Sequence, residues 1–244
     1  EHAPALLGHA IGAMERAAPD LPTPITHQRC VTFWERIIMP QIWVPLGFRY
    51  PPSRVNRATK PHQLVANGQF ILVRRTAYDE IGGHAAVQGE VVEDLALAQT
   101  FLRAGKRLRL MFGDPLFASR MYRTLGELVE GWSKNLYLGT RQSAGNRPLL
   151  RAFAPWSLVL ALLFWLLPFL ALATGVAPEA AKVAIGVSLL FWAMIAFGMQ
   201  IPIRYALGYP LGALMAIGIT LRSIGRGARR VEWRGRTYQV GEPL

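Results

Sequence analysis

Val91-Val92-Glu93-Asp94-Leu95-Ala96-Leu97-Ala98 places two adjacent carboxylates at the start of an apolar helical pattern that runs from about Asp94 to Ala104, with Gly105 as its stop. Acidic residues in a first helical turn complement the helix dipole, and that alone is sufficient reason for them to be there. The neighbourhood supplies a second reading. Residues 152–178 carry no charge, are rich in Leu, Phe and Trp, and are long enough to span the roughly 30 Å hydrocarbon core of a bilayer. An acidic pair upstream of a lipid-compatible run suggests chemistry at a membrane surface.

The composition agrees with a chain of two chemistries. Of the 244 residues, 52% are hydrophobic and 17% charged, yet within 152–203 only Glu179 and Lys182 are charged. The net charge of +12 does not point to nucleic acid, because no interleaving of basic and aromatic residues resembles an RNA- or DNA-binding module. Six arginines instead lie at 222–236, just past the apolar region, where basic residues mark the cytoplasmic flank of a membrane segment. Cys30 is the only cysteine, so neither an internal disulfide nor a thiolate zinc cluster is available. His2, His9, His27, His62 and His84 show no metal-ligand spacing, and the single His84 after a Gly-Gly turn reads as structural. The first residue is Glu1 rather than Met, and the chain is expected to be part of a longer protein.

From the N-terminus, Leu6, Leu7, Ala10, Ile11 and Met14 recur at helical spacing before Pro19, and Pro19, Pro22 and Pro24 read as a loop. Phe33 to Leu46 gathers Trp34, Ile37, Ile38, Ile42, Trp43 and Val44 around Arg36 and Pro40. This is too short and interrupted for a span, and suits either the headgroup level of a membrane or a buried core helix. From Leu64 the pattern becomes α/β. Phe70-Ile71-Leu72-Val73 reads as a buried strand after an Asn67-Gly68 turn, and Thr76 with Asp79 starts a short helix that Gly82-Gly83 ends. Leu108, Leu110 and Phe112 alternate as a strand. Thr124 and Glu127 form a capping box for a helix whose stripe is Leu125, Leu128, Val129, Trp132 and Leu136. Beyond 152–178, residues 183–203 form the second arm of a membrane hairpin. The third segment, 205–221, carries Gly208, Pro210, Gly212 and Gly218 and has basic residues on both sides, so it is expected to be re-entrant or interfacial.

The ordered series Asn67-Gly68-Gln69-Phe70-Ile71-Leu72-Val73-Arg74-Arg75, Ile81-Gly82-Gly83-His84, Val92-Glu93-Asp94-Leu95, Ser119-Arg120-Met121-Tyr122-Arg123 and Glu130-Gly131-Trp132-Ser133-Lys134-Asn135 resembles the membrane-bound family 2 glycosyltransferases, in the branch acting on polyisoprenoid or other lipid acceptors. The tail Val231-Glu232-Trp233-Arg234-Gly235-Arg236-Thr237-Tyr238 resembles the basic tail that follows their last membrane segment. The resemblance implies an α/β fold: the C-terminal part of a GT-A catalytic domain with interfacial helices over 1–150, a membrane region over 151–222 and a basic cytoplasmic tail over 223–244.

It also implies an inverting transfer from a nucleotide-sugar donor to a lipid-type acceptor, with Asp94 as the catalytic base that takes the acceptor hydroxyl proton. Glu93 would orient the site or contact the acceptor, and Asn67-Gly68 would lie near the sugar or acceptor pocket. The family's usual aromatic and basic motif is replaced here by Gly131-Trp132-Ser133-Lys134, so Lys134, Arg123 or Arg120 stand as the diphosphate contacts beside Trp132. For Lys134 and the arginines a solvated basic surface, and for Trp132 a place in its helix's apolar stripe, are the structural alternatives. A divalent cation, Mg or Mn, is implied for the full enzyme. The aspartates are Asp20, Asp79, Asp94 and Asp114, so this chain has no Asp-x-Asp pair, and the metal ligands are expected in a preceding nucleotide-binding part. The expected location is the cell's inner membrane, multi-pass, with the catalytic part cytoplasmic. A non-catalytic membrane scaffold or lipid-binding subunit is the alternative.

Overall fold

Leu6–Ala17 form α1, Leu21–Ile25 form β1 and His27–Gln28 form β2. Then come α2 (Phe33–Arg49), α3 (Pro52–Val55), α4 (Arg75–Glu80), α5 (Glu93–Arg103), β3 (Leu108–Phe112), β4 (Ala118–Ser119) and α6 (Leu125–Ser143). The apolar region holds α7 (Pro148–Phe164), α8 (Leu167–Thr174), α9 (Pro178–Gly198) and α10 (Tyr209–Arg226), and β5 (Val231–Trp233) and β6 (Arg236–Tyr238) follow as a hairpin. This computed structural model describes all residues but 1, 18, 91, 114–115, 228–230, 234–235 and 239–244, with side chains omitted for residue 17 and beyond 227. Asp114 and half of the expected basic tail, 223–244, therefore lie outside the described residues.

The described chain is mostly helical with few, short strands, so the α/β expectation is met only in part. Two of the strand pairs are parallel: β1 with β3, from Leu21 opposite Leu108 to Ile25 opposite Phe112, and β2 with β4. Two stretches depart from the sequence reading for one reason. Pro22 and Pro24 lie in β1 rather than in a loop, and Phe70–Val73 runs beside β1 without becoming a strand. In a parallel pair the backbone groups of alternate residues face opposite neighbours. Leu21 donates to Arg107, and the Ile25 carbonyl accepts from Gly113, which turns the odd-numbered residues toward β3. The even-numbered positions face residues 70–74, and there the prolines have no N–H to give. That side keeps only the bonds from Leu72 N–H to the Pro22 carbonyl (3.4 Å) and from Arg74 N–H to the Asp20 carbonyl (3.0 Å).

One core lies on this small sheet, where Leu97 and Phe101 of α5 pack with Leu21, Val55, Leu64 and Leu110. Asn56 closes the free edge of β3 by donating from Nδ2 to the Leu110 carbonyl (2.9 Å) and accepting the Leu110 N–H on Oδ1 (2.7 Å). A second core joins α2, α6, α7 and α10 through Ile38, Ile42, Leu128, Trp132, Leu162 and Ile219. The middle of α2 is thus buried, from Ile37 to Ile42, while Phe33 and Phe48 near its ends are exposed. The start of α2 carries a reciprocal cap: Thr32 Oγ1 accepts from Glu35 N–H, and the Glu35 carboxylate accepts from Thr32 N–H at 2.6 Å.

Gly208 and Gly212, one turn apart, let α10 close on α2. A Cβ at Gly212 would collide with the Ile37 carbonyl, and one at Gly208 would stand 2.7 Å from the Ile37 side chain. Two helical stretches are long and apolar enough to cross a membrane, Pro178–Gly198 and Ile203–Arg226. The first expected span, 152–178, is instead broken between α7 and α8, which bend by 49°. Trp165 and Leu166 make tight i→i−3 bonds at the break, and Pro168 opens α8 without an N–H to continue the ladder. The third segment, expected as the irregular one, is the straighter of the two because its glycines serve packing rather than breaking the helix.

Candidate active site

Asp94 sits in the first turn of α5, whose sequence favours it there by dipole and by its own backbone: Leu95 N–H donates to Asp94 Oδ1 at 2.8 Å. The other carboxylate oxygen, Oδ2, accepts the Gly68 N–H at 2.8 Å, 26 positions away in sequence. Glycine is needed for that approach, since a Cβ on Gly68 would lie 3.0 Å from Oδ2. Both oxygens are therefore aimed, and the side chain is only half-exposed.

The loop that presents Gly68 is pinned by residues from the middle of β1 onward. Thr23 Oγ1 accepts from Asn67 N–H (3.1 Å), Asn67 Nδ2 donates to Thr26 Oγ1 (2.9 Å), and Gln28 Nε2 donates to Gln69 Oε1 (3.0 Å). Thr23, Thr26 and Gln28 are all buried. The carboxyl edge of parallel strands is where α/β folds place their ligands, because loops and strand ends meet there. Among the described residues, Gln28 Oε1 and Gln69 Nε2 are left without partners, one acceptor and one donor.

Burial pushes the Asp94 carboxyl above the ordinary aspartate range; the Gly68 and Leu95 N–H groups pull the other way, and neighbouring Glu93 adds to the rise. Lys134, on α6, shares this site. Burial draws its ammonium below the usual lysine value, against the pull of the Glu93 and Asp94 carboxylates. The fold thus brings Asn67, Gly68, Glu93, Asp94 and Lys134 together from three separate segments.

Arg120, Arg123 and Trp132 are placed elsewhere. Arg120 forms a two-pronged ion pair with buried Glu35, Nε to Oε1 at 2.8 Å and Nη2 to Oε2 at 3.0 Å. Burial alone would raise Glu35, but the Arg120 and Thr32 hydrogen bonds outweigh it and hold that carboxyl below its ordinary value. Arg123 is exposed, and its backbone N–H donates to Glu127 across the start of α6. Trp132 is buried in the second core, its indole N–H on Met39 Sδ (3.4 Å) and its ring edge-on to Trp43.

Among the described residues no three His, Cys, Asp or Glu side chains are grouped to hold a metal ion. The Glu93–Asp94 pair has no third carboxylate, imidazole or thiol grouped with it among the described residues, so the two do not make a metal site by themselves.

Thr23, Thr26 and Gln28 carry no signal in the sequence. They act on Asn67 and Gln69 across 41 to 44 positions, and no local pattern encodes such a contact.

The family profile described as glycosyl transferase family 21 matches residues 55–243, which include Asn67, Gly68, Glu93, Asp94 and Lys134. The chain belongs to glycosyl transferase family 21. The motif order resembled family 2 glycosyltransferases, and the profile agrees on a glycosyltransferase while assigning this other family. The family 21 chain is also similar to a 4,4'-diaponeurosporenoate glycosyltransferase of Staphylococcus aureus (strain MRSA252). The two are 24% identical over 190 residues, 72% of this chain and 48% of the relative. The chain thus spans about half the length of the curated relative it matches. No solved structure matches the family 21 chain.

Proposed function

We propose that the intact enzyme transfers a sugar from a nucleotide-sugar donor to a lipid-type acceptor at the membrane, by inverting displacement, with Asp94 as the base. The observation that carries this is the hold on Asp94: two backbone N–H groups fix its oxygens while burial raises its proton affinity. A carboxylate whose pKa lies nearer the working pH is a better proton acceptor for a hydroxyl under attack.

In this reading the acceptor hydroxyl loses its proton to Asp94 as its oxygen bonds to the anomeric carbon and the nucleoside diphosphate leaves from the opposite face. The Glu93 and Asp94 carboxylates act electrostatically on Lys134, and in this reading its ammonium stabilises the anion that develops on the leaving group. Glu93 is exposed at the rim and orients the acceptor. The GT-A type of fold and a divalent cation held by a part of the enzyme outside this chain belong to the same proposal. So does a topology with the catalytic part on the cytoplasmic side and the loop at Glu179 on the other. Membrane-length α10, packed on the helix that carries Lys134, supports a lipid acceptor.

Asp94→Asn in the intact enzyme tests the assignment. It keeps the side chain's size and removes the proton acceptor, so transfer is expected to fall by roughly 10²–10⁴-fold with donor affinity and melting temperature retained. A folded variant with near-normal turnover would end the assignment.

A further inference from the structure

Where α2 meets the turn that leads into α10, a second concentration of charge has no role in the reaction described above. Arg36 Nη1 donates to the Tyr205 hydroxyl at 2.7 Å, and the Arg36 guanidinium lies 4.8 Å from the Tyr205 ring centroid. Arg204 approaches the same ring, 5.5 Å from its centroid. Two guanidiniums from distant segments thus converge on one phenol. Two positive charges at one ring favour a nearby anion, and the carboxylate nearest in sequence, Glu35, is already clasped by Arg120, while Arg36 Nε donates to the Cys30 carbonyl at 3.2 Å. Among the described residues neither Arg36 nor Arg204 forms an ion pair.

The surroundings identify the anion. Tyr205 belongs to the 3₁₀ turn Ile203–Gly208, which follows membrane-length α9 and leads into α10. On that turn Ile203 is 56% and Leu207 72% exposed, and Phe33, which packs against Tyr205, is 46% exposed. Exposed aliphatic and aromatic side chains interleaved with arginines at the end of a spanning helix match the boundary between headgroups and acyl chains. Guanidinium groups bind the oxygens of a phosphate by hydrogen bonding as well as by charge.

We propose that Arg36, Arg204 and Tyr205 form a site for the phosphate of an anionic phospholipid, with Phe33, Ile203 and Leu207 set among its acyl chains. The site docks the α2–α10 junction onto the bilayer surface and is independent of Asp94 chemistry.

The test uses the intact enzyme extracted in detergent, exchanged against phosphatidylglycerol or phosphatidylcholine, with retained lipid counted by native mass spectrometry. Wild-type enzyme is expected to retain phosphatidylglycerol preferentially. Arg36→Gln and Arg204→Gln each lower that retention by about five-fold, the factor given by about 1 kcal/mol per basic residue at a membrane surface. Arg54→Gln and Arg57→Gln, exposed arginines elsewhere, leave it unchanged. Should Arg36→Gln lose its melting transition, exposed Arg204→Gln alone decides, with Arg204→Lys expected to restore part of the retention. Equal retention of both lipids by wild type, or equal phosphatidylglycerol retention by wild type and Arg204→Gln, overturns the proposal. Displacement of phosphatidylglycerol by inorganic phosphate at matching concentration assigns the site to a free anion and overturns the lipid claim.

Discussion

The loop around Gly68 and the junction of α2 with α10 are both close approaches made possible by glycine, yet they are held by different physics. At Gly68 the neighbours are polar: hydroxyls and amides of Thr23, Thr26, Gln28 and Gln69 fix a loop so that one N–H meets one carboxylate oxygen. At Gly212 the neighbours are the Ile37 backbone carbonyl and the stem of Gln41, whose amide donates to the Tyr209 carbonyl, and the contact fixes a whole helix rather than an atom. Hydrogen bonds aim a group within a few tenths of an ångström, whereas small-residue packing sets only how near two helices come. The first kind of contact serves chemistry and leaves Gln28 and Gln69 each with an unpaired atom. The second serves architecture and tolerates little added volume.

Perturbations of the two regions should therefore separate activity from stability. The largest stability loss is expected from Arg120→Ala, which strips buried Glu35 of its charge partner at the start of α2. Removing one member of a buried pair costs about 3 kcal/mol, read as a drop in melting temperature. A raised donor KM with unchanged melting temperature would return Arg120 to the diphosphate and erase the contrast. Gly212→Ala should come next, at about 2 kcal/mol, because the new methyl meets the Ile37 carbonyl and the helices must part. Gly208→Ala should cost less, since it meets only a side chain that can rotate.

Gly68→Ala belongs to the other side of the comparison. Its methyl would press on Asp94 Oδ2, so turnover is expected to fall by about tenfold with little change in melting temperature, as misplacement of a reacting group predicts. A variant that unfolds but keeps its activity per folded molecule would place Gly68 with the architectural glycines.

The smallest effect is expected at Glu130, whose carboxylate takes Arg226 on Nη1 (2.6 Å) and Nη2 (2.9 Å) and Arg222 (3.1 Å), tying α6 to the end of α10. This cluster is partly exposed, so Glu130→Gln should cost under about 1 kcal/mol. Arg226 holds this carboxyl below the ordinary glutamate range, so its stabilisation is complete above that range and is lost as pH falls through the lowered value. Asp94 has the opposite sign: its raised carboxyl is protonated sooner on acidification, so the acid limb of the transfer rate should lie above the ordinary aspartate range. A pH series of melting temperature and rate on one preparation reads both.

Much of this was legible in the sequence where a local rule governs. The α5 start at Glu93-Asp94, its end near Gly105, the β3 strand and the Thr124 cap of α6 all follow from spacing within a turn or two, although of the alternating Leu108, Leu110 and Phe112 only the first two are buried. The cap differs in one detail, for the Glu127 carboxylate reaches the Arg123 N–H, one residue before the cap. The two β1 prolines misled because their cost depends on which neighbour their missing N–H would have faced. A linear pattern does not contain that information. Arg120 read equally well as a phosphate contact or a surface charge, and its true partner, Glu35, lies 85 positions away.

By itself the sequence determined the membrane-length apolar segments, the capped helices and the acidic pair, because hydropathy, capping and helix dipoles act over a few residues. Only the tertiary structure decided that the Gly68 N–H meets Asp94, that Arg120 clasps Glu35 and that Trp132 packs in the second core. It also decided that the break falls in the first apolar segment and not the third. Each of these depends on which surfaces meet across the fold, and burial, hydrogen-bond geometry and close approach are properties of that meeting rather than of any residue type.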